Sequence, residues 1–498
     1  MKRLVLLCAW LFLLPAQALP LNYSRGSTEV GVSGYLEGLG VYALDDDTAD
    51  EDPSAQFSLT TKADFATWGS FKLTLEGDYD GKIIDPRHDR VFTAIDKVYR
   101  DNTPALNVDE AYLDLFFGKA DIRIGLQKFA WGRLDEINPT DILNTEDMTD
   151  PVLREESERK QGVPAVKANI YTDIVNCELA WIPRYLPYRL SMPDERWFPA
   201  VLRVPESIET NSMFGSVPVN ASYADIDLPP LTLDNSEAGV RLSRSIAGWE
   251  LSVSYFSGYD SMPVFAVPTE LVVELTDPAA LQTEIQANVT ATPRLKRMQV
   301  IGADFSTTLG GFTIRGEGAY FRGKYYVRTA ESIYPEIITT EMQQDLMEEF
   351  LNTYYATGRA RQTFFLEPAL AIKKDALKYG LGIDYVRGDA TVSIQVIEEH
   401  VLDYDDDKPI YFIDNAYDTM ISLAYKQFFL QNTLELNLAG AYDYTFRHYL
   451  FQPSVVYSFT DAIKGTLGAA VIAGKDPTSL LGQFRDNDEV FAKLRYSF

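Results

Sequence analysis

"FSLTTKADFATWGSFKLTLEGDY", residues 57–79, alternates apolar and polar side chains twice in succession. Phe57, Leu59, Thr61, Ala63 and Phe65 share one face, with Ser58, Thr60, Lys62 and Asp64 on the other. After the turn Thr67-Trp68-Gly69-Ser70 the pattern resumes, with Phe71, Leu73, Leu75, Gly77 and Tyr79 opposing Lys72, Thr74, Glu76 and Asp78. A period of two marks a strand with one apolar face, and two such runs across a short turn make a β-hairpin.

The same unit recurs along the chain. Ala111–Phe117 turns into Ile122–Leu126, Val166–Ile170 into Val175–Trp181, and Ala238–Leu242 into Leu251–Tyr255. Further pairs follow at Ile301–Phe305 with Phe312–Tyr320, Leu377–Tyr385 with Val392–Val396, Ile421–Tyr425 with Leu434–Leu438, and Phe451–Phe459 with Ile463–Val471. With an opening strand at Val30–Val41 and a closing one at Asp488–Phe498, the count is eighteen. Sixteen is the alternative, because the first strand and residues 183–235 are weakly patterned. Connections alternate short with long: tight turns, then loops at 80–106, 131–162, 183–235, 259–296 and 322–375. Loop length segregated by parity, with strands of roughly ten residues, is the signature of outer-membrane barrels. The expected fold is all-β: a transmembrane, antiparallel, up-and-down β-barrel with short periplasmic turns and long extracellular loops. A sheet in a bilayer has to close, since lipid cannot satisfy bare backbone groups.

Export is expected from residues 1–18. Lys2 and Arg3 precede an apolar run, Leu4–Leu14, and Pro15-Ala16-Gln17-Ala18 offers a small-residue cleavage site. That run falls short of the ~20 residues a helical anchor needs. Cys8 lies inside it without the small residues a lipoprotein signal carries. Residues 19–498 are then the barrel, holding Cys177 as their one cysteine and so no internal disulfide. The chain carries 72 acidic against 45 basic residues, and loss of Lys2 and Arg3 takes its formal charge from −27 to −29. Nucleic acid is a poor partner for such a surface. Cation preference in a pore and solvated acidic loops both remain open.

The charges fall on the inward face, Lys72, Asp114, Arg123, Lys167, Glu178, Arg241, Arg315, Glu317, Asp384, Lys493 and Arg495 among them. A cation facing lipid near the midplane would cost roughly 2–4 kcal/mol. Tyr79, Tyr259, Tyr320 and Tyr442 near strand tops, with Trp68 and Trp249 near the short turns, fit aromatic girdles. At the end of the chain, "FAKLRYSF" (491–498) places Tyr496 and Phe498 on an alternating strand. A terminal aromatic of this kind resembles the signal read by the barrel-assembly machinery, and the last strand is expected to pair with the first.

"QKFAWGRLDEINPTDILNTEDM" (127–148) carries the chemistry of greatest interest. One reading folds it into the lumen, with Gln127, Arg133, Asp135, Asn138 and Asp141 forming a constriction beside Arg123, Arg315 and Glu317 on the wall. The other makes it an external loop turned by Asn138-Pro139 and Asp141. The acidic clusters Asp45–Asp47 with Asp50–Asp52, and Asp403 with Asp405–Asp407, lack EF-hand spacing and read as solvated tips. Divalent cations bridging lipopolysaccharide are the alternative there. His88, His400 and His448 fall in loops or at rims, and neither G-x-S-x-G nor H-E-x-x-H occurs, so no enzyme, cofactor or metal site is expected. Residues 339–353 suit a short amphipathic helix with Met342, Leu346 and Phe350 aligned, capping the mouth or packing on neighbouring loops.

The WGR…INPTD stretch, with "RKQGVPAVKANIY" (159–171), "WIPRYLP" (181–187), "WELSVSYFSGYDSMP" (249–263) and "TPRLKRMQVIGADFS" (292–306), resembles a Gram-negative family of porin-like barrels of unassigned function. The resemblance implies transport, and for some members export or uptake of hydrophobic compounds beside an inner-membrane transporter. It assigns no role to any residue. The expected function is therefore an outer-membrane, porin-like channel for passive or loop-gated passage of solutes, with the hydrophobic route as the alternative. A lateral exit in that route would need a disturbed wall strand, and Pro453 is one candidate.

Overall fold

The computed structural model describes residues 21–44, 54–79, 107–190, 196–209, 215–224, 226–329, 339–474 and 476–498. Residues 1–18, the acidic cluster at 45–52, His88 and the loop 80–106 lie outside them. The first strands are β1 (Leu21–Arg25), β2 (Thr28–Ala43), β3 (Ser54–Phe65), β4 (Gly69–Tyr79), β5 (Asn107–Phe116), β6 (Ala120–Gln127), β7 (Val163–Tyr171) and β8 (Asn176–Ile182). Next come β9 (Ser207–Glu209), β10 (Ser216–Tyr223), β11 (Glu237–Ile246), β12 (Trp249–Tyr259), β13 (Val264–Ala266), β14 (Thr269–Asp277), β15 (Gln282–Arg294), β16 (Arg297–Leu309) and β17 (Phe312–Val327). The last are β18 (Arg361–Leu366), β19 (Ala371–Arg387), β20 (Ala390–Val401), β21 (Tyr417–Phe429), β22 (Leu434–Asp443), β23 (His448–Ser458), β24 (Ile463–Ala473) and β25 (Glu489–Ser497). Two helices, α1 (Glu156–Arg159) and α2 (Thr340–Thr357), interrupt them.

Nineteen strands share one sheet, and without β1 the remaining eighteen close into a ring. Each barrel strand pairs antiparallel with its neighbours. β2 closes the ring, pairing with β3 from Thr28↔Phe65 to Leu39↔Ser54 and with β25 from Tyr35↔Ser497 to Ala43↔Glu489. β1 folds back on the start of β2, beside the part β25 leaves unpaired. The eighteen-strand expectation holds.

Short turns gather at one end of the ring. Between β11 and β12 the turn is Ala247-Gly248, both at positive φ (50° and 84°), the two-residue geometry whose twist suits a hairpin. Alternation places apolar side chains outside: on β12, Leu251, Val253 and Tyr255 are 42%, 54% and 39% exposed while Ser252 between them is 5% exposed. Leu377, Tyr379, Leu381 and Ile383 do the same on β19. A belt this apolar suits lipid, not water. Tyr259 departs from the girdle pattern: it is buried, its ring 5.0 Å from that of Tyr185.

Inward, opposite charges pair between strands. Arg123 meets Asp114 at 2.7 Å, Arg241 meets Asp304 at 3.1 Å, and Lys324 meets Glu399 at 3.0 Å. Pro453 sits on β23 at a gap in the ladder, since pairing to β24 runs Phe451↔Val471 and resumes at Ser454↔Gly468 without a shift of register.

At the opposite end the long connections carry structure of their own. β18, β14, β15, β10 and β9 form a second sheet in that order, with β13 also on β15. α2 packs on it through Phe350, which is fully buried with Val273 and Leu275. The helix starts at the Thr339 cap, whose Oγ1 accepts from the Met342 amide, and stops at Gly358 with φ 75°. It therefore packs on its neighbours, and its buried stripe is Leu346, Met347, Phe350, Leu351 and Tyr354. The segment after β8 runs to the β24–β25 connection, where Arg196 meets Glu489 at 3.2 Å and its carbonyl accepts from Asn487. No described helix is long and apolar enough to cross a membrane.

Candidate functional site

Residues 128–162, between β6 and β7, fold into the lumen and touch the wall almost all the way round. The root is pinned by Asn144, whose Oδ1 accepts from the Phe129 amide and whose Nδ2 donates to the Gln161 carbonyl, both at 2.6 Å. Trp131 is buried and donates through Nε1 to Glu178 on β8 at 2.5 Å. Its ring lies against Gly239 on β11, where a Cβ would come within 2.7 Å.

Glu317 on β17 is the centre of the attachment. It accepts from the amides of Arg133, Leu134 and Thr140 and from the Thr140 hydroxyl, the last at 2.8 Å. Gly132 makes this geometry accessible: its φ is 90°, and a Cβ there would stand 2.8 Å from both Glu317 oxygens. Arg133 reaches two strands, meeting Glu250 at 2.7 Å and Asp304 at 3.2 Å. Asp135 receives Arg315 at 2.6 Å, and its backbone exchanges hydrogen bonds with the Gln395 amide side chain at 3.0 and 2.8 Å. Arg315 also holds Asp384 at 2.8 Å. Further on, Gln452 and Lys493 donate to the carbonyls of Val152 and Leu153 at 2.7 and 2.6 Å, and Arg495 meets Glu158 at 2.8 Å.

Below the attachment lies a recess of about 440 Å³, lined among others by Arg133, Asn138, Asp141, Glu156, Lys160 and Arg315. Lys160 holds Asp141 at 2.5 Å and Glu156 at 3.4 Å, and Asn138 donates to Glu156 at 3.4 Å. Burial pushes the Asp141 carboxyl up to about 6, although Lys160 acts against it. Burial likewise raises Glu146, against the pull of Arg159 at 3.2 Å.

Four of the residues singled out in the sequence, Arg133, Asn138, Asp141 and Arg315, thus meet around one recess, with Asp135 and Glu317 bonded to its edge. Two do not. Gln127 is fully buried and donates to the Ala165 carbonyl at 2.9 Å, so it fixes the root of the segment and lines no passage, because its amide is spent on backbone. Arg123 stays on the wall, paired with Asp114 and stacked 3.8 Å from the Tyr112 ring centre. Asp304, Gln395 and Asn144 were not anticipated. Asp304 follows Val300 and Gly302 on the inward parity of β16, a signal the sequence does contain. Tyr496 is buried beside Phe498, and the Phe498 backbone pairs with Gly34 on β2 at 2.9 and 3.0 Å. His448 is buried in the rim, its Nε2 accepting from the Asp476 amide at 3.0 Å and its Nδ1 meeting the Ser479 hydroxyl. Among the described residues no cluster of metal-ligating side chains occurs.

Residues 188–498 match the model of a family described as "Protein of unknown function (DUF1302)". The chain belongs to this family. The DUF1302 match begins after the lumen segment, so WGR…INPTD lies outside it. No curated protein sequence matches the chain. Among solved structures it is similar to OccAB1 of Acinetobacter baumannii, with TM-score 0.48, 9% identity and 97% of this chain and 98% of that one covered. OccAB4 of the same organism gives 0.46, 9%, 95% and 99%. OmpF of Salmonella typhi, solved in complex with daunomycin, gives 0.42, 8%, 96% and 100%.

Proposed function

We propose that this DUF1302 barrel is an outer-membrane channel for small polar solutes, narrowed by residues 128–162. The observation that carries this reading is the inward fold of that segment onto Glu317, Gln395, Gln452 and Lys493, which come from widely separated strands. An eighteen-stranded ring has room for an aqueous lumen. A polar segment across it selects by width and by fixed charge. The charged residues of the recess are mixed, Arg133, Lys160 and Arg315 against Asp141 and Glu156, so the acidic surplus of the chain does not govern this narrowing. Weak ionic selectivity is expected.

The test is single-channel current of the refolded protein in a planar bilayer, with reversal potential in a salt gradient. Small, steady steps that enlarge in Glu317→Ala are expected. A folded, heat-modifiable barrel that passes no current in either form would overturn the reading.

A further inference from the structure

A narrow cavity of about 60 Å³ opens at the long-loop end. All four long connections from β8 onward through β21 contribute to it: Val201 to Ile208, Phe265 to Ala291, Val327 with Leu366 to Leu370, and Tyr411. It separates two apolar clusters, one around Leu202, Phe265 and Ala291 and the other around Ile208, Val289 and Leu271. Protein interiors close such gaps to near crystal density, and an apolar void that persists stays dry and takes apolar guests. Val201, Val204, Val267, Leu366 and Leu370 are only half-buried, so the cavity has a mouth.

The charged residues of the lining are Arg203 and Arg328, both cationic on a chain whose net charge is −27. Arg203 is exposed. Its guanidinium donates to the Phe198 carbonyl at 3.4 Å, and no carboxylate pairs with it among the described residues. A valine-lined slot with a guanidinium at its lip matches a molecule apolar at one end and anionic at the other. At roughly 10–15 Å³ for each water-sized group, the volume admits about four to six such groups in a row. A short chain fits; a lipid tail does not.

We propose that this cavity binds a small amphipathic carboxylate from solution, its chain between Val204, Val267, Val289 and Leu366 and its head on Arg203.

Hexanoate is the probe, titrated by ligand-observed NMR onto the full barrel held in a detergent-free polymer disc. Saturable binding is expected, about tenfold weaker in Arg203→Ala, the loss of one charge-assisted contact. Hexanol should bind both forms alike. Val267→Trp should abolish binding of either ligand, with heat-modifiable mobility checking its fold; Arg203, being exposed, keeps the test decisive if the tryptophan variant misfolds. Hexyltrimethylammonium binding as tightly as hexanoate, or hexanoate bound equally by Arg203→Ala, would overturn the proposal. So would displacement of hexanoate by lipopolysaccharide, which would make the occupant a membrane lipid.

Discussion

The barrel wall and the segment inside it are held by opposite means. In the wall, most ladders join strands that follow one another around the ring, and an ion pair such as Arg123–Asp114 spans nine residues; the β2–β25 seam is the long-range exception. Every strand is held along two ladders, so no single side chain decides its place. The lumen segment has no ladder. Its attachments reach 184 residues from Arg133 to Glu317 and 340 from Leu153 to Lys493, and each is made by one side chain. Redundancy protects the wall, while the segment depends on a few groups that can be removed singly.

Glu317→Ala should break that contrast most severely. Hydrogen bonds to a charged group contribute roughly 1.5–3 kcal/mol each, and this carboxylate accepts four. The segment should leave the lumen and unit conductance should rise several-fold while the barrel stays folded. Gly132→Val should do nearly the same by clashing with Glu317, and the two changes combined should add little to either alone.

Phe350→Ala tests whether the outer sheet behaves like the wall or like the segment. Emptying that fully buried site should cost about 3–5 kcal/mol locally. Limited proteolysis should then cut near α2, with heat-modifiability of the barrel unchanged.

Asp141→Asn is subtler. The folded carboxyl titrates at about 6 against an ordinary 3.8, so the folded state binds the proton more tightly. Stability linked to this group is fullest below about pH 4 and is lost as pH rises to about 6. As pH falls from 7 to 5 the recess gains positive charge, so the reversal potential should move toward anions. In Asp141→Asn it should hold the low-pH value throughout.

The smallest effect belongs to the wall. Lys426 and Glu435 meet at 3.2 Å with the lysine half exposed, and solvent screening leaves such a pair about 0.5 kcal/mol or less. Lys426→Ala should leave melting and current unaltered.

The wall was legible because its period of two is a local property: a face turned to lipid and a face turned inward repeat within every ten residues. The segment was legible in part. Asn138, Asp141 and Arg133 stood out as polar residues in a stretch leaving a strand top, but Arg133 finds Asp304 and Glu317 more than 170 residues away, where no periodicity reaches, and Asn138 and Asp141 meet Glu156 and Lys160 across an irregular loop that has none. Gln127 misled for the same reason, since only the fold shows its amide turned to the Ala165 carbonyl. The outer sheet was missed entirely. β14 and β15 form an ordinary antiparallel hairpin, but β10 joins β15 in parallel across 60-odd residues, a pairing that hairpin reading does not generate. Of the aligned Met342, Leu346 and Phe350, the last two pack on the outer sheet, while Met342 is half-buried outside those clusters.

The placement of Glu317 also sets an order of events. Its partners at residues 133–140 emerge some 180 positions earlier in the chain, yet they stay without their acceptor until β17 has found β16 and β19. Closing so long a loop is slow. In time, then, the narrowing is expected to come after the tube, the segment settling once the far side exists to receive it.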